Sequence, residues 1–290
     1  MKVLVFGGNG FLGSYVVDEL MKQNHEVFFA DIQNDYFEDK IFFKCDILDK
    51  DKVKEVISNK FDAVYNFAGF ASLDESVNEP YQTLNLNILG NINILEACRL
   101  EAVKHYIYAS SAYAMSQKGS FYGVSKLSSE KIIEEYHKRF GLNFTIIRYG
   151  SVYSERLSHN NYLYKLINKA VKTHQILHDG NGEEIREYIH ASDAARLSVQ
   201  ILNDANFLNE HVILTGLERM KRIELFEMIR EISGEKIDIK LLSDGYTHHY
   251  KLTPYQFQPS LSKKLIANPF IDMGQGILEI IKEIKKETNE

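Results

Sequence analysis

Three side chains in this sequence could move a proton at a carbon–oxygen centre. Tyr122 and Lys126 stand four residues apart, and positions i and i+4 share one face of a helix. Glu130, Ile132, Ile133 and Tyr136 follow at helix-compatible spacing. A phenol has a pKa near ~10 and is a poor base at neutral pH. A neighbouring ammonium favours the phenolate and lowers that value. The pair can therefore act as a general acid/base on an alcohol or ketone. Ser111 precedes Tyr122 with ten residues between them. A serine there can hold a reacting oxygen, or simply cap the end of a strand. Tyr-x-x-x-Lys alone recurs on ordinary exposed helices, so its weight depends on what positions it.

The positioning elements begin at the N-terminus. Val3-Leu4-Val5-Phe6 reads as a buried strand, Gly7-x-x-Gly10-x-x-Gly13 follows, and Tyr15, Val16, Val17, Leu20 and Met21 give helical periodicity. Strand, glycine turn and helix make a pyrophosphate site, because the bare backbone lets the phosphates approach a helix N-terminus. The next strand, 26–31, ends in Asp31, 18 residues after Gly13. A carboxylate there accepts hydrogen bonds from an adenosine ribose and repels a 2′-phosphate, favouring NAD over NADP. The competing reading of Asp31 is a turn residue.

Strands over 41–45, 63–67, 105–109 and 144–148 alternate with helices over 50–59, 81–100 and from Tyr122 onward. That alternation predicts an α/β fold: a Rossmann-type, doubly wound parallel sheet with helices on both faces. Gly7, Asp31, Asp46, Ala68, Ser111 and Arg148 all fall at carboxyl ends of strands, where such sheets bind ligands.

Composition narrows the classes. The chain has 290 residues, 44% hydrophobic and 26% charged, with net charge −6. No basic block is present, so neither nucleic acid nor a membrane surface is an expected partner. No apolar run reaches ~18 residues, so no transmembrane helix is expected. Met1 to Phe6 is too short for a signal peptide. Cys45 and Cys98 read as isolated buried thiols of a reducing compartment, which predicts a cytoplasmic protein. No His/Cys/Asp cluster has metal-ligand spacing.

The ordered set of motifs resembles the extended short-chain dehydrogenases/reductases, in the NAD-dependent epimerase/dehydratase family that acts on nucleotide sugars. Gly7-Gly8-Asn9-Gly10-Phe11-Leu12-Gly13 resembles the family's dinucleotide loop, Asp31 its ribose acid, and Asp46-Ile47 its adenine-contacting pair. Asn66-Phe67-Ala68-Gly69 resembles the loop beside the cofactor, and Asn87-Ile88-Leu89-Gly90-Asn91 a following helix motif. Ser110-Ser111, Tyr122 with Lys126, Arg148-Tyr149 and the run Arg186 to Asp193 complete the match. The resemblance covers residues 1–240.

The resemblance implies hydride transfer between a sugar carbon and NAD. Tyr122 would take the hydroxyl proton, Lys126 would hold the nicotinamide ribose, and Ser111 would hydrogen-bond the reacting oxygen. It implies cofactor contacts at Gly7, Gly10, Phe11, Leu12, Gly13, Asp31, Asp46, Ile47, Phe67, Ala68, Gly69, Asn87, Tyr122, Lys126 and Tyr149. Substrate contacts are expected at Ser72, Ser111, Ser151 and Arg186, with Arg186 on the diphosphate. The competing reading of Arg186 is a surface ion pair with Glu183, Glu184 or Glu187. Dehydratases and decarboxylases of the family place carboxylates after the serine, where this chain has Ala112-Tyr113. That leaves C4 redox chemistry on a nucleotide-diphosphate sugar: a 4-epimerase first, then a 4-dehydrogenase or 4-ketoreductase. A catalytically idle NAD-sensing or scaffold protein is the rival of another class.

Beyond Tyr149, Ser151 stands where relatives carry asparagine, and 174–182 resembles the hairpin before the arginine motif. Helices are expected over 161–172, 193–202, 223–232 and 276–286, with a strand over 211–215. His190 reads as a packed or capping histidine. The aromatic stretch 243–260 reads as a substrate-side loop or core packing. The division is an NAD-binding part, 1–150 with a return at 183–215, and a smaller α/β substrate part, 151–182 with 216–290. Apolar residues on more than one face of the 81–100 and 122–140 helices predict a homodimer, as relatives pair these helices.

Overall fold

The computed structural model describes residues 1–38, 41–116, 118–156, 161–217, 219–242 and 263–287. The aromatic stretch 243–260 therefore lies outside the described residues. Eight parallel strands form the main sheet. In chain order they are β1 (Lys2–Phe6), β2 (Glu26–Asp31), β3 (Phe42–Lys44), β4 (Ala63–Asn66), β5 (His105–Ser111), β6 (Phe144–Tyr149), β10 (Glu210–Leu214) and β13 (Lys263–Leu265). Their order across the sheet is β13-β10-β6-β5-β4-β1-β2-β3. The chain reverses direction across the sheet between β1 and β4. Ligands in such folds sit beyond the carboxyl ends at that crevice.

Period-two alternation divides each strand between two cores. Val3 and Val5 of β1, with Phe29, Tyr65, Ile107 and Ile147, pack under α1 (Phe11–Lys22) and α8 (Ala191–Leu202). Leu4 and Phe6 face the other way, onto α2 (Lys50–Ile57), α5 (Asn91–Leu100) and α6 (Ser120–Phe140). Each such fully buried side chain contributes about 1.5–3 kcal/mol by leaving water. Leu4→Ala would also leave a cavity and cost about 2–5 kcal/mol.

The helix expected over 81–100 is interrupted. It runs as α4 (Pro80–Leu84), a π-helical turn over Asn85–Gly90, then α5. The π turn frees the Asn87 carbonyl to accept from Ser129 Oγ at 2.7 Å. A short helix, α3 (Leu73–Ser76), precedes it, N-capped by Ser72. α6 stops at Gly141, whose φ of 72° suits a residue without Cβ.

The second part has β7 (Ser151–Tyr153), β9 (Ile185–His190) and β11 (Arg219–Lys221) in one small sheet. The hairpin expected over 174–182 does not form. β8 (Gln175–Asp179) pairs in parallel with β12 (Asp238–Leu242), not with β9. A third core gathers α7 (Tyr162–Thr173), α9 (Arg222–Ser233) and α10 (Met273–Glu287) around Ile176, Tyr188 and Phe226. Ile277, Ile280, Ile281 and Ile284 make the buried stripe of α10. β10 pairs with β6, and β13 with β10, so two later segments return to the main sheet.

Candidate active site

The glycine loop is set by close backbone approach. Gly7 has a φ of +75°, and a Cβ there would lie 2.5 Å from Ala68 N; a Cβ on Gly13 would lie 2.1 Å from Gly7 O. The loop therefore packs against the 66–69 loop and turns directly into α1, from Gly10 as N-cap. No acidic residue stands in the first turn of α1, so its amides and dipole remain open to an anion. Phe11 and Leu12 pack partly against the first core.

Asp31 ends β2 beside this loop. Its carboxylate accepts from Asn9 N at 3.0 Å and from Ile32 N at 2.7 Å. Burial raises its carboxyl above the usual range, the amides of Ile32, Asn9 and Gln33 pull it back, and Asp35 pushes it up. Asp35 is a partner that spacing alone did not single out: it accepts from Asn9 Nδ2 at 2.8 Å. Its only sequence signal is a second carboxylate four residues after Asp31. Asp46 is exposed and accepts from Leu48 N, whereas Ile47 is a core residue whose carbonyl accepts from Asn93 Nδ2.

Phe67, Ala68 and Gly69 line the turn after β4. Phe67 stacks on Tyr65 and leans on Tyr149. Asn87 clamps this turn from the π segment. Its Oδ1 accepts from Phe70 N, and its Nδ2 donates to Phe70 O and to Ser125 Oγ. These bonds give Asn87 a bracing position between the loop and α6. Tyr149 is buried, with its hydroxyl 2.7 Å from Ser198 Oγ.

The residues expected to handle a proton lie near the end of β5. Ser111 caps the 3₁₀ turn Ala112–Met115, its Oγ accepting from Tyr113 N at 3.2 Å. Tyr113 meets Tyr122 edge to face, with centroids 6.4 Å apart. Lys126 is buried. Its Nζ donates to Ala109 O at 2.8 Å, and lies 4.9 Å from the Tyr108 ring and 5.8 Å from the Tyr122 ring. Burial pulls the Lys126 ammonium down to about 8, with Glu130 acting in the opposite direction. The structure thus brings Ser111, Tyr122 and Lys126 to one strand end.

Three further positions, Ser72, Ser151 and Arg186, complete the expected set. Ser72 Oγ accepts from Glu75 N at 3.3 Å. Ser151 opens β7, opposite Tyr188 of β9. Arg186 is 2% exposed and donates to Ile185 O, so it is not a surface residue. Preceding Ser151, Gly150 has no room for a larger side chain, since a Cβ would lie 2.5 Å from Thr215 Oγ1. His190 caps α8 and is buried. Its Nε2 lies 3.1 Å from Glu155, which also accepts from Tyr15 OH at 2.8 Å. Burial pushes Glu155 up, but these hydrogen bonds outweigh it and hold the carboxyl at about 2. Glu279 brings a third donor atom within 4.8 Å of the His190 and Glu155 donors. The existing bonds of His190 and Glu155 to one another already account for that grouping.

NAD fits these residues. The 7–13 cradle would be filled by a Cβ at Gly7 or Gly13, Asp31 offers acceptors at the adenosine end, and Lys126 offers a cation beside Tyr122.

Comparisons agree with that geometry. Residues 3–215 match the model of the NAD dependent epimerase/dehydratase family. The chain is 30% identical over 294 residues to the UDP-glucose 4-epimerase of Yersinia enterocolitica, covering 84% of this chain and 86% of that one. It is 25% identical to a UDP-N-acetyl-alpha-D-glucosaminuronate decarboxylase of Bacillus cytotoxicus, covering 100% and 99%. The fold is shared with a UDP-glucuronic acid 4-epimerase of Bacillus cereus, solved with UDP-glucuronic acid and NAD. That likeness has a TM-score of 0.83 at 23% identity and covers 99% and 100% of the two chains.

Proposed function

Because the chain belongs to the NAD-dependent epimerase/dehydratase family, we propose that it is an NAD-dependent 4-epimerase of a nucleotide-diphosphate sugar. The chain also resembles a decarboxylase over its whole length, so similarity alone leaves the reaction open. The observation that carries the choice is the short turn after Ser111. Residues 112–120 contain no Asp or Glu, and elimination or decarboxylation needs a further positioned acid or base. What remains is one proton-handling phenol over one buried cation.

Gly7, Gly10, Gly13, Asp31 and Lys126 hold NAD. When bound, it supplies the acceptor for the hydride leaving C4 and the donor that returns it to the opposite face. Tyr122 takes the C4 hydroxyl proton and returns it after inversion. Lys126, charged below pH about 8, stabilises the phenolate and grips the nicotinamide ribose. Ser111 Oγ hydrogen-bonds the reacting oxygen. Arg186 pairs with the diphosphate, since a guanidinium can meet two phosphate oxygens. Residues 1–150 with 183–215 serve the cofactor, and 151–182 with 216–290 the sugar.

A homodimer fits the surface. Phe121, Val124 and Leu127 repeat at three-residue spacing on α6 and are exposed, as are Tyr81, Leu89 and Leu100 of the neighbouring helices. An isologous pairing of these helices would cover them, and light scattering at micromolar concentration checks it. No described helix is long and apolar enough to cross a membrane. Cys45 and Cys98 are free and buried, which supports the cytoplasm.

UDP-glucose deuterated at C4 tests the reaction. The epimer should keep its deuterium, with no added NADH consumed. Deuterium in free NADH, or an accumulating 4-keto sugar, would move the assignment to a dehydrogenase.

A further inference from the structure

Two successive residues of β5, immediately before Ser111, are gripped by two residues of α6 one turn apart. Lys126 Nζ donates to Ala109 O, and Glu130 Oε1 accepts from Ser110 Oγ at 2.5 Å. Glu130 is also held in a two-bond pair by Arg148 of β6: Nε to Oε1 at 3.0 Å and Nη2 to Oε2 at 2.6 Å. Glu130 is 0% exposed and Arg148 is 6% exposed. The Arg148 Nη1 also reaches Met115 Sδ at 3.1 Å, in the turn that follows Ser111. One carboxylate thus ties α6 to both strand ends that carry the site.

Apolar side chains of similar volume often fill such a position at least as stably as a buried ion pair. A charge here therefore points to a task beyond packing. Lys126 lies four residues before Glu130, on the same helical face. We propose that Glu130 is a positioning residue for the reaction proposed above: through Ser110 and Arg148 it holds the Tyr122/Lys126 turn in register with Ser111, and its carboxylate is the buried counter-charge that keeps Lys126 an ammonium. Burial pulls Lys126 down to about 8 while Glu130 pulls it up, so removing the anion lowers it further. The other groups facing this pair are Arg148 from β6, Tyr108 from β5, and His211 from β10. His211 Nδ1 is 3.7 Å from Glu130 and its Nε2 3.1 Å from Glu134 of α6. Burial, then Arg148, lower His211 below its ordinary value, so it titrates away from the alkaline limb.

Removal of the charges, singly and together, separates this role from packing. NAD affinity is measured by calorimetry from pH 6.5 to 9.5 without sugar, so an enzyme inert toward UDP-glucose leaves the counter-charge test standing. In the wild type, affinity should fall with a midpoint near pH 8, where Lys126 loses its proton. In Glu130→Gln the midpoint should move about one unit lower. That variant leaves Arg148 without its carboxylate and should melt lower. Glu130→Gln/Arg148→Met removes both charges; it should recover the melting temperature and keep the lowered midpoint. Recovery of the midpoint along with the melting temperature overturns the counter-charge role, as does an unmoved midpoint in Glu130→Gln. Ser110→Ala keeps both charges, so it should leave the midpoint in place and lower kcat about tenfold by loosening the register. An unchanged kcat there overturns the positioning role.

Discussion

Lys126 couples stability and activity to pH in opposite directions. Its ammonium is held at about 8 in the folded chain against 10.5 for a free lysine, because burial disfavours the charge. Between those values the unfolded chain binds more protons than the folded one, so stability rises with pH. The sign is that of a buried cation: the penalty is fully present below pH 8 and is relieved as pH climbs toward 10.5. One pKa unit corresponds to about 1.4 kcal/mol. Summing the two titrations from pH 7 to 9.5 gives a relief of about 2 kcal/mol. Lys126→Met has no such proton, and subtracting its stability from that of the wild type cancels every other titrating group. Urea unfolding of both proteins across that range should show the difference rising by about 2 kcal/mol. Over the same range, wild-type kcat/KM should fall if the proposed mechanism, which needs the ammonium, holds. A flat stability difference would refute the buried, depressed ammonium. A kcat/KM that holds to pH 9.5 would refute its role.

Three other perturbations follow from the site. Tyr122→Phe keeps the ring against Tyr113 but loses the hydroxyl; kcat should fall about 10²–10⁴-fold while NAD affinity by calorimetry stays near wild type. Gly13→Ala sets a Cβ 2.1 Å from Gly7 O; cofactor titration should show NAD binding lost, and retained affinity would remove the loop from the cofactor site. Asp31→Ser should narrow the preference for NAD over NADP, measured as the ratio of their Kd values, because a carboxylate that repels the 2′-phosphate is gone.

The sheet was legible because its strands are buried on both faces and read as short apolar runs. The Ser111, Tyr122 and Lys126 group was legible because each stands at a strand end or on one helical face. Features made by long-range pairing were not. β8 meets β12 across more than 60 residues, and a hairpin pattern next to β9 gave no hint of that partner. The π turn at Asn85–Gly90 keeps the apolar spacing of an ordinary helix, so periodicity could not reveal it. Its asparagines were the only signal, and Asn87 clamps Phe70 and Ser125. Glu130 looked like one more polar position on an amphipathic helix. Only the fold brings Arg148 and Ser110 to it.

The late return of β13 has a consequence for biosynthesis. The flank of β10 that β13 will cover is left open when residue 214 emerges, and its partner begins at residue 263. At about 5–20 residues per second, synthesis of the intervening 48 residues takes roughly 2–10 s. For that interval the nascent chain presents an open parallel edge, a template for pairing with other chains. Fragments ending between 215 and 262 should therefore aggregate in the cell, and full-length yield should depend on chaperones that bind during those seconds.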